Sequence, residues 1–152
     1  MSSEPEALGT AEIESNPVPP ARLLLAEDDL ELRELLAYVL RADGHEVIEA
    51  RDGLELLELL SESTQRCMNQ EPFALVVSDV SMPGLTAFDV LTRLQRALTD
   101  IPVILITAFG DQTTHVRALR LGASRVFDKP FDFDDLRAAI HETLQQRQRR
   151  AS

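Results

Sequence analysis

The most informative stretch of the sequence reads FALVVSD and covers residues 73–79. Its apolar part, residues 73–77, offers no polar side chain to either face, which is typical of a strand buried on both sides of a parallel sheet. A second run of this kind, VILI, covers residues 103–106. These two runs predict the central strands of a parallel β-sheet.

Three further apolar runs, at residues 23–26, 45–48 and 126–127, alternate with helical patterns. The apolar residues at helical spacing are Leu32, Leu35, Leu36, Val39 and Leu40 in the first helix, Leu56, Leu57 and Leu60 in the second, Phe88, Leu91 and Leu94 in the third, Val116 and Leu119 in the fourth, and Leu136, Ile140 and Leu144 in the fifth. Gly44 is the expected C-terminal cap of the first helix. Alternating strands and helices imply parallel pairing with right-handed crossovers, so we expect an α/β fold with a doubly wound sheet of five strands.

The chain of 152 residues is long enough for one domain with its own core. Residues 1–21 contain four glutamates, four prolines and no basic residue, so we predict a disordered acidic tail there. The domain itself is expected at residues 22–146, with a short basic C-terminal tail at 147–152. The stretch at residues 61–72 is long for a connection and is either an extension of the second helix or a loop.

The charge balance excludes several classes of protein. Asp and Glu number 26 against 15 Lys and Arg, and the net charge of −11 opposes direct nucleic-acid binding. No apolar run approaches the roughly 18 residues that cross a membrane. A single cysteine and an N-terminus without signal-peptide features favour a soluble protein of the cytoplasm.

Polar residues follow four of the predicted strands, at the edge of a parallel sheet where ligands bind. They are Glu27 and Asp28 after the first strand, Asp79 after the third, Thr107 after the fourth and Lys129 after the fifth. Carboxylates about 5 Å apart repel by roughly 3 kcal/mol per pair at an effective dielectric constant near 20, so this cluster requires a cation. Oxygen ligands of this kind suit Mg²⁺.

Lys129 is the only lysine of the chain, while the other fourteen basic residues are arginines. An ammonium is a compact charge, whereas a guanidinium is a planar fork. The use of lysine at this one strand end suggests a small site that holds an anion together with the Thr107 hydroxyl.

These residues resemble the receiver domain of two-component response regulators, in a free-standing form similar to the chemotaxis regulators. The resemblance spans residues 22–146 and depends on Glu27-Asp28, on Asp79 followed by Met82-Pro83-Gly84, on Thr107-Ala108, and on Lys129-Pro130-Phe131. It implies a flavodoxin-like sheet with strand order 2-1-3-4-5 and five helices.

The resemblance also implies a role for each site residue. Asp79 would accept a phosphoryl group from a histidine kinase or a phosphotransfer protein. Asp28, Asp79 and the backbone carbonyl of Ser81 would bind Mg²⁺, and Glu27 would act through a water. Thr107 and Lys129 would bind the phosphoryl group, so the chain would be a phosphoacceptor with slow autodephosphorylation and not an enzyme.

The output is expected to be a protein contact through the fourth helix, fifth strand and fifth helix. Val126 stands where the family usually has an aromatic residue that moves on activation. We therefore expect the change to concentrate in the loop after Thr107 and in the fourth helix. The protein would be a monomer or a weak phosphorylation-dependent dimer.

Three alternatives remain open at this point. A phosphohydrolase of the haloacid dehalogenase type also uses an aspartyl phosphate, but it would need a second aspartate where this chain has Ser81. The chain could also be a receiver fragment of a transcription factor, or a binding scaffold that is not phosphorylated.

Overall fold

A computed structural model describes residues 19–65, 73–83, 85–96, 100–108 and 112–151. The strands are β1 (Arg22–Ala26), β2 (Glu46–Ala50), β3 (Leu75–Asp79), β4 (Val103–Thr107) and β5 (Arg125–Asp128). The helices are α1 (Leu30–Ala42), α2 (Gly53–Gln65), α3 (Ala87–Arg96), α4 (Gln112–Arg120) and α5 (Phe133–Ala151). The predicted alternation of five strands and five helices is confirmed.

All strand pairs are parallel, and the strand order is β2-β1-β3-β4-β5, as expected. The order reverses between β1 and β3, so the connections on the two sides of this point run in opposite directions and leave a crevice at the carboxyl edge. The paired positions nearest this edge are Ala26 with Ala50, Ala26 with Ser78, Asp79 with Ile106, and Thr107 with Asp128.

Each face of the sheet has its own buried cluster. Leu24, Val76 and Leu105 pack with residues of α2, α3 and α4 on one face, whereas α1 and α5 cover the other face. The edge strand β5 follows the same alternation, because Val126 joins the first cluster and Phe127 the second. Phe127 therefore faces away from the side on which Val126 lies.

Helix α1 shows how the sequence sets the ends of an element. The Asp29 carboxylate accepts a hydrogen bond from the Glu31 backbone N–H at the N-terminus. At the other end Gly44 adopts φ +98°, a conformation that favours glycine, so the predicted stop is confirmed. One expectation is wrong: Leu35 is exposed, and Ala37 is buried beside Leu36 instead.

The predicted apolar face of α4 is also wrong. Val116 and Leu119 are 40% and 54% exposed, and the buried residue of this helix is Ala118. Helix α4 packs near the edge strand through the small side chain of Ala118, and its larger apolar residues face outward. Ala123, which follows the helix, belongs to the same buried cluster.

Several predicted segments fall partly outside the described residues. Residues 1–18 of the predicted tail lie outside them, as do residues 66–72, while α2 includes residues 61–65. Helix α5 continues to Ala151 and thus includes most of the residues that we assigned to a basic tail. Among the described helices, none has the length and apolar character that a membrane span requires.

Candidate functional site

The predicted site residues meet at the carboxyl edge of the sheet. Glu27 directly follows β1, and its backbone N–H donates to the Ala50 carbonyl at 3.1 Å. Lys129 directly follows β5, and its backbone N–H donates to the Thr107 carbonyl at 2.8 Å. Because sheet-type hydrogen bonds continue through these positions, the backbone fixes where each side chain begins.

Glu27, Asp28 and Asp79 form a cluster that we call the acidic pocket. One carboxylate oxygen from each residue lies within 4.8 Å of the others, with Glu27 and Asp79 buried and Asp28 exposed. Oxygen Oε1 of Glu27 is buried and has no hydrogen-bond partner among the residues that the structure describes. An unsatisfied carboxylate oxygen among two other acids is what a hard divalent cation would neutralise, so these residues fit Mg²⁺.

Lys129 provides the positive charge of the pocket. Its ammonium Nζ lies 3.0 Å from Oδ2 of Asp79 and 3.2 Å from Oε1 of Glu27. The contact with Oε1 lacks hydrogen-bond geometry, and the Nζ donates to Oε2 of Glu27 only at 3.5 Å. A single ammonium therefore contacts two buried carboxylates and leaves Oε1 of Glu27 without a hydrogen bond from the described residues.

The electrostatics of the pocket shift two pKa values upward. Burial and the charge of Asp79 raise the pKa of Glu27 to about 7, although the backbone N–H of Asp29 and the charge of Lys129 act against this shift. Burial lowers the pKa of Lys129, but the hydrogen bond to Asp79 and the carboxylate charges outweigh it, so the pKa of the ammonium is raised. Lys129 is thus held in its charged form.

Asp79 is held at both of its oxygens. The backbone N–H of Ser81 donates to Oδ1 at 3.0 Å, and Lys129 donates to Oδ2 at 3.0 Å. Thr107 is buried at the end of the neighbouring strand β4, one register step beyond Ile106, the partner of Asp79. The structure therefore brings together Glu27, Asp28, Asp79, Ser81, Thr107 and Lys129, while the roles that we predict for them stay predictions.

One contact beside this site was not anticipated from the sequence. Nε2 of His115 on α4 lies 2.8 Å from Oδ1 of Asp128 at the end of β5. The two residues are thirteen positions apart on different elements, so no periodic pattern connects them. The residue before Lys129 is thereby linked to the helix that we expect to move.

Comparisons with known proteins show the family to which the chain belongs. The chain is 38% identical over 124 residues to a transcriptional regulatory protein CpxR homolog of Haemophilus influenzae, which covers 82% of the chain but only 50% of that protein. It is 30% identical over 123 residues to sporulation initiation phosphotransferase F of Bacillus subtilis, covering 81% of the chain and 93% of that protein. The chain thus spans half the length of the first relative and nearly all of the second.

A response regulator receiver domain protein from Clostridium thermocellum has the same fold, with a TM-score of 0.74, 26% sequence identity, and coverage of 84% of this chain and 97% of that one. The sequence pattern of the response regulator receiver domain matches residues 23–141, more than half of the chain. On these grounds the chain belongs to the receiver domain family of two-component response regulators.

Proposed function

We propose that this receiver is a switch that is turned on when Asp79 accepts a phosphoryl group. The observation that carries the proposal is the position of the Asp79 carboxylate, which is buried at the sheet edge between the Ser81 N–H and the Lys129 ammonium. A carboxylate held by two donors is oriented, and orientation is a large part of catalysis in phosphoryl transfer.

In the reaction, a carboxylate oxygen of Asp79 forms a bond to phosphorus while the bond from phosphorus to the donor's imidazole nitrogen breaks, and the imidazole leaves. Lys129 balances the charge on the phosphoryl oxygens, because it already contacts the accepting carboxylate at 3.0 Å. The Thr107 hydroxyl binds the product once it has formed. These roles need no proton to be taken from Asp79.

The fit of the acidic pocket supports a role for Mg²⁺ as well. Glu27 through a water, Asp28, Asp79 and the carbonyl of Ser81 would hold the ion. A bound Mg²⁺ supplies charge neutralisation to the transferred group. The protein contributes the pocket itself, whose buried Glu27 oxygen has no hydrogen-bond partner among the described residues.

Receiver domains interact with histidine kinases or phosphotransfer proteins, and we propose such a donor for this chain. For the output we propose the face formed by α4, β5 and α5. Val116 and Leu119 are exposed apolar residues on α4, and His115 connects this helix to Asp128 beside the site. A shift at Thr107 would reach a partner through this contact.

We further propose that the chain has no turnover of its own beyond slow autodephosphorylation. A phosphohydrolase of the haloacid dehalogenase type would have a carboxylate two residues after its nucleophile. Ser81 occupies that position here, and its backbone N–H donates to Asp79.

Three further expectations remain predictions. They are a cytoplasmic location, a monomeric or weakly dimeric state, and domain limits at residues 22 and 146.

Phosphorylation with acetyl phosphate and Mg²⁺, followed by intact mass, tests the proposal. We expect one phosphoryl group on the wild type and none on Asp79→Asn. Asp100→Asn is the matched control, because Asp100 is an exposed carboxylate far from the pocket. Equal labelling of the wild type and Asp79→Asn would place the acceptor elsewhere, and steady release of phosphate from small esters would favour the phosphohydrolase.

A further inference from the structure

A second concave region lies between helices α3 and α4. Its volume is about 600 Å³, and its lining residues are Thr92, Gln112, Thr113, Val116, Arg117, Arg120 and Leu121. We call it the α3–α4 cleft. None of these residues belongs to the acidic pocket, so the cleft is a separate feature of the surface.

The two helices that form the cleft are basic, although the chain carries a net charge of −11. Together they contain Arg93, Arg96, Arg117 and Arg120 and a single acid, Asp89, whose carboxylate accepts hydrogen bonds from Thr86. None of these four arginines forms an ion pair with a carboxylate in the part of the chain that the structure describes. In contrast, carboxylates pair with seven other arginines: Arg22, Arg33, Arg41, Arg51, Arg125, Arg137 and Arg147.

Arg117 is nevertheless held in place. Its guanidinium carbon lies 4.2 Å from the centroid of the Phe88 ring on α3. Stacking of this kind restricts the planar group while its N–H donors stay available at the rim. The cleft therefore contains one positioned guanidinium and a second one, Arg120, one helical turn further along α4.

From this arrangement we propose that the α3–α4 cleft binds a small ligand that carries phosphate groups and has about the size of a nucleotide. Two guanidinium groups that have no carboxylate partner among the described residues provide charged donors for phosphate oxygens. The hydroxyl of Thr113 and the amide of Gln112 add neutral donors at the same wall.

The size and charge of the surroundings favour a small ligand over a macromolecule. Pockets for small ligands have volumes of roughly 300–1,000 Å³, and the α3–α4 cleft lies within that range. A nucleic acid or a long acidic segment would extend beyond the cleft onto a protein surface of strongly negative net charge, which repels it. The proposal does not depend on phosphorylation of Asp79.

Titration of the full chain with ATP, followed by backbone amide shifts, tests this site. The solution contains EDTA, so that no divalent ion can hold ATP at the acidic pocket. We expect saturable shifts at Thr113, Arg117 and Arg120, and about tenfold weaker binding by Arg120→Gln, because a charge-assisted hydrogen bond is lost. Arg149→Gln removes the same charge from an exposed position on α5 and should bind ATP like the wild type.

Two further probes identify which part of the ligand the cleft binds. Pyrophosphate should compete with ATP, and adenosine should not. Equal binding of adenosine and ATP would overturn the proposal, because the arginines would then have no role. Amide shifts that do not saturate with ATP, or that are the same in Arg120→Gln as in the wild type, would overturn it too. A polyglutamate peptide that binds as tightly as ATP would also overturn it. Thr113→Val is a second variant in case Arg120→Gln fails to fold, and it should weaken ATP binding to a smaller extent.

Discussion

The acidic pocket and the α3–α4 cleft each collect charges of one sign, but they do so in different surroundings. In the pocket, Glu27 and Asp79 are buried and share a single ammonium. In the cleft, Arg117 and Arg120 are exposed on a helix surface. Repulsion is strong where water is excluded and weak where water screens it, so only the pocket should destabilise the folded protein when no ligand is bound.

The two regions also differ in how the backbone assembles them. Residues of the pocket continue the hydrogen-bonded register of neighbouring strands, which fixes them relative to one another. Residues of the cleft belong to two helices that pack on the sheet through small side chains such as Ala87 and Ala118. The pocket is therefore rigid and strained by charge, whereas the cleft is defined by how two helices lie side by side.

The largest expected effect comes from removing one buried charge. Glu27→Gln should stabilise the protein in EDTA at pH 8 by about 3 kcal/mol, because a pKa raised from 4.5 to about 7 disfavours the ionised form in the folded state by that amount. The free-energy cost of ionising Glu27 in the folded protein is fully present above its folded-state pKa of about 7, and it disappears as the pH falls towards the unfolded-state pKa of 4.5. Urea unfolding at pH 8 and at pH 4.5 measures both limits.

Glu62→Gln is the control for this comparison, because Glu62 is an exposed acid on α2 and its replacement changes the net charge equally. It should alter the free energy of unfolding by less than about 0.5 kcal/mol. If Glu27→Gln had the same small effect, or kept its advantage at pH 4.5, the cost that we assign to burying an ionised Glu27 carboxylate beside Asp79 would be wrong.

Mg²⁺ should give the next largest effect. An ion that binds the folded state stabilises it by about 1.4 kcal/mol when its free concentration is about ten times Kd. We expect millimolar Mg²⁺ to raise the melting temperature of the wild type at fixed ionic strength. Asp28→Asn should lose most of this gain, and its fold should persist because Asp28 is exposed. A wild type that melts at the same temperature with and without Mg²⁺ contradicts the metal site.

Much of the pocket was predictable because strand ends are easy to locate. Buried runs such as VILI mark a parallel strand, and the next polar residue, Thr107, then lies at a known edge of the sheet. Glu27, Asp79 and Lys129 follow from the same reasoning. The sequence could not predict that Oε1 of Glu27 receives no hydrogen bond from the described part of the chain, because that depends on side-chain geometry.

The surface of α4 was not predictable from the same kind of pattern. This helix contains only two large apolar residues, and both face outward while Ala118 makes the buried contact. Small residues give a weak periodic signal, so the sequence does not determine well which face of a short helix near an edge strand is buried. The α3–α4 cleft also combines residues of two helices whose relative position no local pattern specifies.

Arg117→Gln should change the free energy of unfolding by less than Glu27→Gln or the binding of Mg²⁺ does. It removes the contact with Phe88, which contributes about 0.5–1 kcal/mol at an exposed site. Arg120→Gln removes a cation without such a contact and should be close to neutral. Urea unfolding of the two variants compares them directly, and an equal loss in both would mean that the Phe88 contact contributes nothing measurable.

The smallest effect is expected on the outer side of α4. Leu119→Gln should change the free energy of unfolding by less than about 0.5 kcal/mol, because the side chain is already 54% exposed and glutamine favours a helix nearly as well as leucine. Leu91→Gln on α3 is the matched control, and it should cost at least about 2 kcal/mol because it places an amide in a buried cluster. If Leu119→Gln lowered the free energy of unfolding as much as Leu91→Gln, Leu119 would be a buried residue, as its spacing in the sequence predicts. A neutral result would leave an exposed leucine that the fold does not need, on the same helix whose His115 contacts Asp128, the residue before Lys129.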